Sequence, residues 1–344
     1  RIVVETMGGL HPAYDFVKAC LEKGKSVVSS NKELVAAKGD ELLKIAVEKN
    51  VNFLFEASVG GGIPILRPLS QCLAANQIDE IVGILNGTTN FILTKMISDG
   101  LSFAEALKMA QDNGYAEKDP TADVEGFDAC RKICILASLV YGKHVYPNDV
   151  HTEGITKIDL ADVEYAKSWG GVIKLIARVQ KIDENKIFSI VSPSFVPHSS
   201  QLSTVEDVFN AILVKGDAIG DVVFYGRGAG KLPTASAVVA DVIDCARHQS
   251  NKKTFGWGAA VPDYVMDYLD GETSLYIRAD APDRAEAKKE IQKIFGEATF
   301  LKRADAPENE IAFITPVAVE RELRTKLDTI HKITPRSVIR ITDC

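Results

Sequence analysis

The sequence predicts an α/β fold in three parts, and three patterns support this prediction. Residues 1–58 alternate short apolar strands with helices, which is typical of a doubly wound parallel sheet. Residues 59 to about 229 mix helices with longer strands, which indicates an α+β region with an open sheet. Residues 273–344 follow the order strand, helix, strand, strand, helix, strand, which is the ferredoxin-like pattern.

The first part is predicted from three short apolar strands separated by helices. Parallel strands end at one edge of their sheet, where α/β enzymes place ligands and reactive groups. Lys32 directly follows the second strand and so lies at this edge, although a lysine after a strand is also common at ordinary surfaces. The predicted strands are 2–5, 26–29 and 51–55, and the predicted helices are 11–22 and 40–49.

The other two parts are predicted from the spacing of their apolar residues. Residues 249–272 are polar and rich in turn-forming residues, and we expect them to link the two parts. In the second part we expect helices at 64–75, 89–99, 103–113 and 126–144, strands at 78–85, 173–180, 187–192, 211–215 and 222–225, and a closing helix at 230–248. In the third part, a separate unit, we expect strands at 274–279, 298–303, 310–316 and 337–341 and helices at 284–295 and 320–329.

The composition excludes several classes of protein. The 344 residues are 46% hydrophobic and 25% charged, as in globular proteins, and the net charge of −7 argues against a general nucleic-acid surface. No apolar run is long enough to cross a bilayer. The cysteines form no C-x-x-C pair and the six histidines have no metal-ligand spacing, which predicts reduced thiols and a cytoplasmic protein. The cysteines are Cys20, Cys72, Cys130, Cys134, Cys245 and Cys344.

Residues 114–132 combine a polar loop with a helix that becomes apolar towards its end. The loop holds Glu117 and Asp123, and the helix carries Asp128 and Lys132, which share one face because they are four residues apart. A lysine among carboxylates on a buried helix can act as a proton donor. The alternative is a solvated ion pair at a helix start, and the pattern alone leaves both interpretations open.

Three glycine-containing turns are further candidates for ligand sites. Gly87 and Thr88 follow a strand and precede a helix, so their N–H groups could bind a carboxylate. Residues 56–64 form a glycine-rich turn without the lysine of a phosphate-binding loop, and residues 226–230 form another before a helix. Each is equally consistent with an ordinary structural turn.

Four separated stretches, in the same order, resemble the homoserine dehydrogenases. They are Ser-Asn-Lys at 30–32, Leu-Asn-Gly-Thr-Thr-Asn-Phe-Ile-Leu at 85–93, the segment 114–132, and the glycine-rich loop and helix at 226–239. The resemblance implies NAD(P)-dependent interconversion of L-homoserine and L-aspartate 4-semialdehyde, in threonine, methionine and isoleucine biosynthesis. It also implies a partial Rossmann-like parallel sheet, followed by a catalytic and dimerisation domain that supports a homodimer or tetramer.

The resemblance assigns roles to the candidate residues. It implies that Lys132 and Lys32 are catalytic, with Lys32 near both the substrate carbonyl and the nicotinamide. The implied cofactor contacts are Gly8, Gly9, Lys32, Gly226 and Gly228. The implied substrate contacts are Tyr115, Glu117, Asp123, Asp128, Gly87 and Thr88, and the implied sodium ligands are the backbone carbonyls of Glu56, Val59, Gly61 and Ile63.

Two departures from the family pattern limit what the resemblance implies. No Gly-x-Gly-x-x-Gly stands between a strand and a helix, so we expect a chain that lacks the first part of the nucleotide-binding domain, and the choice between NAD and NADP stays open. Residues 273–344 resemble an ACT regulatory domain, yet Asp283 replaces the glycine of its ligand turn, which weakens the case for a threonine effector. The alternative function is a catalytically silent dimeric scaffold with an amino-acid-sensing ACT module.

Overall fold

The N-terminal part forms a small parallel sheet whose strands are connected by helices. The computed structural model describes residues 1–248 and 252–342. The three strands lie in the order β1-β2-β3 and are all parallel, as the alternation of strands and helices predicts. Their bounds are Ile2–Glu5 (β1), Ser26–Ser29 (β2) and Phe53–Leu54 (β3), and the connecting helices are Ala13–Glu22 (α1) and Lys32–Glu48 (α2).

Helix α2 begins earlier than the sequence predicts. The prediction places its start near residue 40, whereas the helix begins at Lys32. The cause is Asn31, whose side-chain Oδ1 accepts a hydrogen bond from the N–H of Leu34 (3.0 Å) and so caps the helix. This cap fixes Lys32 in the first turn of α2.

The second part contains long strands packed against helices. A large sheet with the strand order β11-β12-β10-β14-β7-β6-β4-β8-β9 runs from here into the C-terminal part. The strands of the second part are Ile78–Ile84 (β4), His151–Thr152 (β5), Gly171–Lys181 (β6), Ile187–Pro197 (β7), Phe209–Gly216 (β8) and Gly220–Arg227 (β9). Its helices are Gly87–Asp99 (α3), Phe103–Asp112 (α4), Thr121–Val124 (α5), Phe127–Tyr141 (α6), Leu160–Trp169 (α7) and Lys231–Arg247 (α8).

Two predictions of helices in this part are wrong. Within the predicted helix 64–75, the regular element is a short π-helical turn at Pro68–Cys72. The preceding N–H groups of residues 65–67 are instead bound by the side chain of Glu56. Helix α7 was not predicted, although Asp159 caps it through a hydrogen bond from the N–H of Asp162 (3.1 Å).

The C-terminal part has the predicted order of elements and joins the large sheet. Strand β14 pairs in parallel with β7 at Arg340–Ser194 and Ile341–Phe195, so the sheet continues across both parts. This part also has a hydrophobic core of its own, formed by residues such as Leu275. Its elements are Glu272–Asp280 (β10), Arg284–Phe295 (α9), Thr299–Leu301 (β11), Glu310–Ile314 (β12), Ala318–Val319 (β13), Glu320–Asp328 (α10) and Thr334–Ile341 (β14).

Helix α8 returns to the N-terminal sheet and connects the first two parts. Val238 and Cys245 pack against Val28 of β2 and Leu54 of β3. On the same helix, the carboxylate of Asp241 accepts a hydrogen bond from the N–H of Glu56 (2.8 Å). The helix therefore fixes the turn that follows β3 as well as the sheet itself.

The cysteines and the helices agree with a protein that has reduced thiols. All cysteines within residues 1–248 and 252–342 are free, and Cys344 lies outside the described residues. Across these described ranges, no helix combines the length and the apolar character needed to cross a membrane.

Lys174 of β6 is fully buried beneath helix α3. Its ammonium donates hydrogen bonds to Asn90 Oδ1 (3.1 Å) and to the carbonyl oxygen of Val205. Burial lowers the pKa of Lys174 to about 8, because the charged form loses its hydration while the acidic residues Glu206 and Asp207 compensate only in part. The folded state therefore binds this proton less tightly than the unfolded chain does.

This lowered pKa predicts a pH dependence of stability. Between pH 8 and the ordinary lysine value of 10.5, the unfolded state binds more protons, so the contribution of Lys174 to stability rises with pH. We expect the free energy of unfolding of the wild type, relative to Lys174→Met, to rise by about 3 kcal/mol across this interval. Denaturant unfolding at several pH values measures the difference. Lys167→Met, on the exposed side of α7, is the control, and parallel profiles of wild type and Lys174→Met would contradict the prediction.

Candidate active site

Two lysines from different parts of the chain bind the same carboxylate. Lys32 lies at the carboxyl end of β2, and its Nζ is 2.8 Å from Asp128 Oδ1. Lys132, one turn after Asp128 on α6, places its Nζ 2.7 Å from Asp128 Oδ2. The two lysines that the sequence singles out thus converge on one point between the N-terminal sheet and the second part.

The position of Lys32 depends on the loop that follows β1. Asn31 donates a hydrogen bond from Nδ2 to the carbonyl oxygen of Gly9 (2.6 Å), while its Oδ1 caps α2. Gly8 and Gly9 have φ values of +77° and +72°, which residues with a Cβ rarely adopt. The predicted cofactor contacts Gly8, Gly9 and Lys32 therefore lie around one edge of the sheet, held together by Asn31.

Lys132 is held by the end of strand β4 as well as by Asp128. Its Nζ donates a second hydrogen bond to the carbonyl oxygen of Leu85 (2.7 Å). The side chain is 9% exposed, whereas that of Lys32 is 42% exposed. Lys132 is therefore fixed in a buried position, and Lys32 faces the more open side of the site.

The charges of the site are balanced by carboxylates. Burial of Asp128 would raise its pKa, but the ammonium groups of Lys132 and Lys32 outweigh this and hold the pKa well below its usual range. Burial of Asp123, with the neighbouring charge of Asp128, raises the pKa of the Asp123 carboxyl. The pKa of Lys32 is raised, because the attraction of Asp128 outweighs the effect of burial.

Asn86 is a site residue that the sequence reasoning missed. Its Nδ2 donates hydrogen bonds to Asp123 Oδ1 (2.7 Å) and Asp128 Oδ2 (2.9 Å). Its Oδ1 accepts a hydrogen bond from the N–H of Thr89 (2.8 Å), which caps α3. Its place before Gly87 in a helix-starting sequence was the available signal, but only the fold brings it to both carboxylates.

The remaining predicted substrate residues lie at the rim of the site. Glu117 is exposed, and within the described residues its carboxylate has no hydrogen-bond partner. Tyr115 is 44% exposed, and its ring packs edge-on against Phe91 at a centroid distance of 5.0 Å. The hydroxyl of Thr88 donates to the carbonyl oxygen of Tyr115 (2.7 Å), so this loop is tied to the start of α3.

The predicted cofactor loop at 226–230 is packed so closely that only glycine fits at several positions. A Cβ added to Gly61 would lie 2.5 Å from the carbonyl oxygen of Gly228, and one added to Gly228 would lie 2.2 Å from Asn210 Oδ1. Asn210 in turn lies beside Gly87 at the start of α3. The loop is therefore held between the turn after β3 and the first turn of α3.

The turn proposed from the resemblance to hold sodium has a clear structural role. The carboxylate of Glu56 accepts hydrogen bonds from the N–H groups of Ile65 (2.7 Å), Leu66 (3.0 Å) and Arg67 (2.8 Å). The N–H of Ile63 donates to the carbonyl oxygen of Gly60 (2.8 Å), which closes the turn. Elsewhere in the described part of the chain, no three His, Cys, Asp or Glu side chains are grouped so as to hold a metal ion.

The shared carboxylate predicts the effect of removing it. In Asp128→Asn two ammonium groups face each other without an anion between them, and one of them is buried. We expect a loss of about 3 kcal/mol in the free energy of unfolding, the low end of the cost of breaking a buried ion pair because Lys32 is partly exposed. Denaturant unfolding at neutral pH measures the loss. Asp119→Asn, in the same segment but exposed, is the control, and equal stability of the two variants would contradict the prediction.

Comparisons with known proteins agree with this geometry. Residues 1–56 match the family model described as the homoserine dehydrogenase NAD binding domain, and residues 64–243 match the model described as homoserine dehydrogenase. The homoserine dehydrogenase of Corynebacterium glutamicum is 40% identical over 342 residues, which covers 96% of this chain and 76% of that protein. That of Neisseria gonorrhoeae is 38% identical over 346 residues, covering 96% and 79%.

Solved structures give the same result. A homoserine dehydrogenase from Thiobacillus denitrificans superposes with a TM-score of 0.90 at 36% identity, covering 99% of this chain and 82% of that one. A hyperthermophilic archaeal homoserine dehydrogenase, solved in complex with NADPH, superposes with a TM-score of 0.61 at 32% identity, covering 72% and 71%. The resemblance inferred from the sequence is thereby confirmed: this chain belongs to the homoserine dehydrogenase family, whose members are oxidoreductases with an NAD-binding domain.

Proposed function

We propose that the two lysines on Asp128 form the catalytic centre for interconverting L-homoserine and L-aspartate 4-semialdehyde, a step in amino-acid biosynthesis. The observation that carries this proposal is the pair of contacts from Lys32 and Lys132 to Asp128, at 2.8 and 2.7 Å. An aldehyde that is reduced needs a proton at its oxygen, and an alcohol that is oxidised must lose one. An ammonium group that is fixed in a buried site can perform both transfers.

Lys132 is the group that we assign to proton transfer. Leu85 and Asp128 orient its ammonium, so that one N–H remains for the substrate oxygen. Lys32, which is more exposed, would bind the same oxygen from the opposite side and stabilise negative charge there. Asp128 keeps both amines charged because its own carboxyl stays ionised.

The polar ends of the substrate have complementary groups in the same site. Asp123 and Asp128 offer carboxylates to an ammonium group, and Glu117 at the rim can approach it from solvent. The N–H groups of Gly87 and Thr88 lie in the first turn of α3, where a carboxylate is favoured. Tyr115 borders this turn through its contact with Thr88. These assignments account for a substrate that carries both an ammonium and a carboxylate.

The edge of the N-terminal sheet suits the cofactor NAD or NADP. When bound, the nicotinamide ring supplies or accepts the hydride. A Cβ on Gly8 would meet no atom within 4 Å, so the loop after β1 borders open space next to the partly exposed Lys32. We assign Gly8, Gly9 and Lys32 to one side of the cofactor, and Gly226 and Gly228 to the loop on the other side.

Further ligands and partners are proposed on weaker grounds. The backbone carbonyls of the turn from Glu56 to Ile63 are the candidates for Na⁺, since hard cations take oxygen ligands. Strand β9 is at the edge of the large sheet and exposes Val223 and Tyr225, which suits a homodimer or a tetramer formed through this edge.

The ACT-like turn of the C-terminal part argues less for an effector. Asp283, which stands where the family pattern has glycine, caps α9 by accepting hydrogen bonds from the N–H groups of Ala285 and Glu286 (both 3.0 Å). Arg336 pairs with Asp280 at the start of the same turn. A threonine site here would therefore have to use a turn whose carboxylates are already engaged.

Replacing the proposed proton donor tests the function. In Lys132→Met we expect kcat to fall by about 10³-fold, with a small change in the KM of the substrate, because general acid–base catalysis is lost. The nicotinamide absorbance, followed with homoserine and either cofactor, measures turnover. Lys108→Met is the matched control because Lys108 pairs only with Asp112 on the surface of α4.

Two results would contradict the proposed mechanism. Wild-type turnover in Lys132→Met would remove the proton-transfer role of this lysine. A wild-type chain without turnover under all conditions, but stabilised by threonine, would favour the alternative of a silent scaffold with a sensing module.

A further inference from the structure

We infer that Glu153 is a positioning residue for the lysine site and that Arg340 of the C-terminal part holds it in place. The relevant contacts run from β14 through residues 151–156, which we name the strap, to the start of α6. The inference rests on the proposed function only for its effect on turnover. Its structural consequence can be measured separately.

The strap lies directly against the residue that begins helix α6. Gly126 has φ of +83°, and a Cβ there would lie 3.1 Å from Thr152 Cγ2 and 3.3 Å from the carbonyl oxygen of Glu153. The N–H of Ile155 donates to the carbonyl oxygen of Val124 (2.8 Å), immediately before this turn. A displacement of the strap would therefore move the turn from which α6 starts.

The start of α6 determines where the catalytic side chains lie. Asp128 is two residues after Gly126, and Lys132 follows one turn later on the same helix. Both are buried, so neither can compensate by rotating into solvent. Because a displacement of about 1 Å can reduce catalysis about 10²-fold, a small shift of this helix would matter.

Glu153 is the residue of the strap that is fixed from outside. Arg340 Nη2 lies 3.0 Å from Glu153 Oε1, and His151 Nε2 lies 2.6 Å from the same oxygen. The ring of His151 stacks on Tyr268 at a centroid distance of 3.5 Å. Burial would raise the pKa of Glu153, but the hydrogen bonds from His151 and Arg340 lower it to about 2, so the residue is ionised at neutral pH.

Arg340 is itself rigidly placed. Its guanidinium makes two hydrogen bonds to Glu320, each 2.7 Å, and its backbone belongs to the β14–β7 pairing at Ser194. The arginine side chain is 8% exposed. The strap is therefore anchored to the sheet of the C-terminal part by a buried, two-sided ion pair rather than by a surface contact.

The conservative variant Glu153→Gln tests the inference because it keeps the size of the side chain and removes its charge. Hydrogen exchange with mass spectrometry reports on the peptide spanning Val124–Lys132, and steady-state kinetics report on kcat and KM. We expect this peptide to exchange several-fold faster, and kcat to fall about tenfold, with the KM of the cofactor unchanged. Arg340→Gln should give the same effects, and the double variant should add little to either single change.

The control variant is Arg321→Gln, which breaks exposed ion pairs to Asp267 and Asp270 without touching the strap. Peptides of α3 provide an internal reference for global unfolding. Unchanged exchange of Val124–Lys132 in Glu153→Gln would overturn the inference, as would an equal acceleration in α3. Faster exchange in a wild type that has no turnover would support the role of Glu153 and contradict the proposed function instead.

Discussion

The carboxylate of Asp128 is the interaction on which the site depends. It binds two ammonium groups and the amide of Asn86, so all its polar contacts are made inside the protein. Removing an ion from water is costly unless its charge is paired and its hydrogen bonds are made. Here, the cost is offset by bringing Lys32, from the N-terminal sheet, against Lys132, from the buried helix α6. The same carboxylate thus assembles the two parts and fixes the groups that we assign to catalysis.

Close backbone contacts carry this arrangement to the cofactor side. Gly61, Gly228 and Gly87 lie where side chains would collide with neighbouring atoms, and Asn210 packs between the last two. Both polar atoms of the Asn210 side chain are buried without a hydrogen-bond partner among the described residues. The proposed cofactor loop and the proposed substrate turn are therefore adjacent, and a shift of either would be felt by the other.

The C-terminal part belongs to the same mechanical unit. The pairing of β14 with β7 makes one sheet of elements that a sequence pattern divides into two folds. The buried pair of Arg340 with Glu153 adds a side-chain connection close to the start of α6. The predicted boundary near residue 273 describes separate hydrophobic cores, while the hydrogen bonds of the sheet cross it.

The sequence by itself determined the order of most elements, the parallel N-terminal sheet and both lysines. These features depend on local periodicity and on motifs, which are written in neighbouring residues. Only the tertiary structure decided that Lys32 and Lys132 share Asp128, that Asn86 links Asp123 to Asp128, and that β14 joins β7. Each of these contacts joins residues far apart in the chain or depends on how helices pack. Burial and hydrogen-bond geometry fix such contacts, and a single sequence carries no local signal for them.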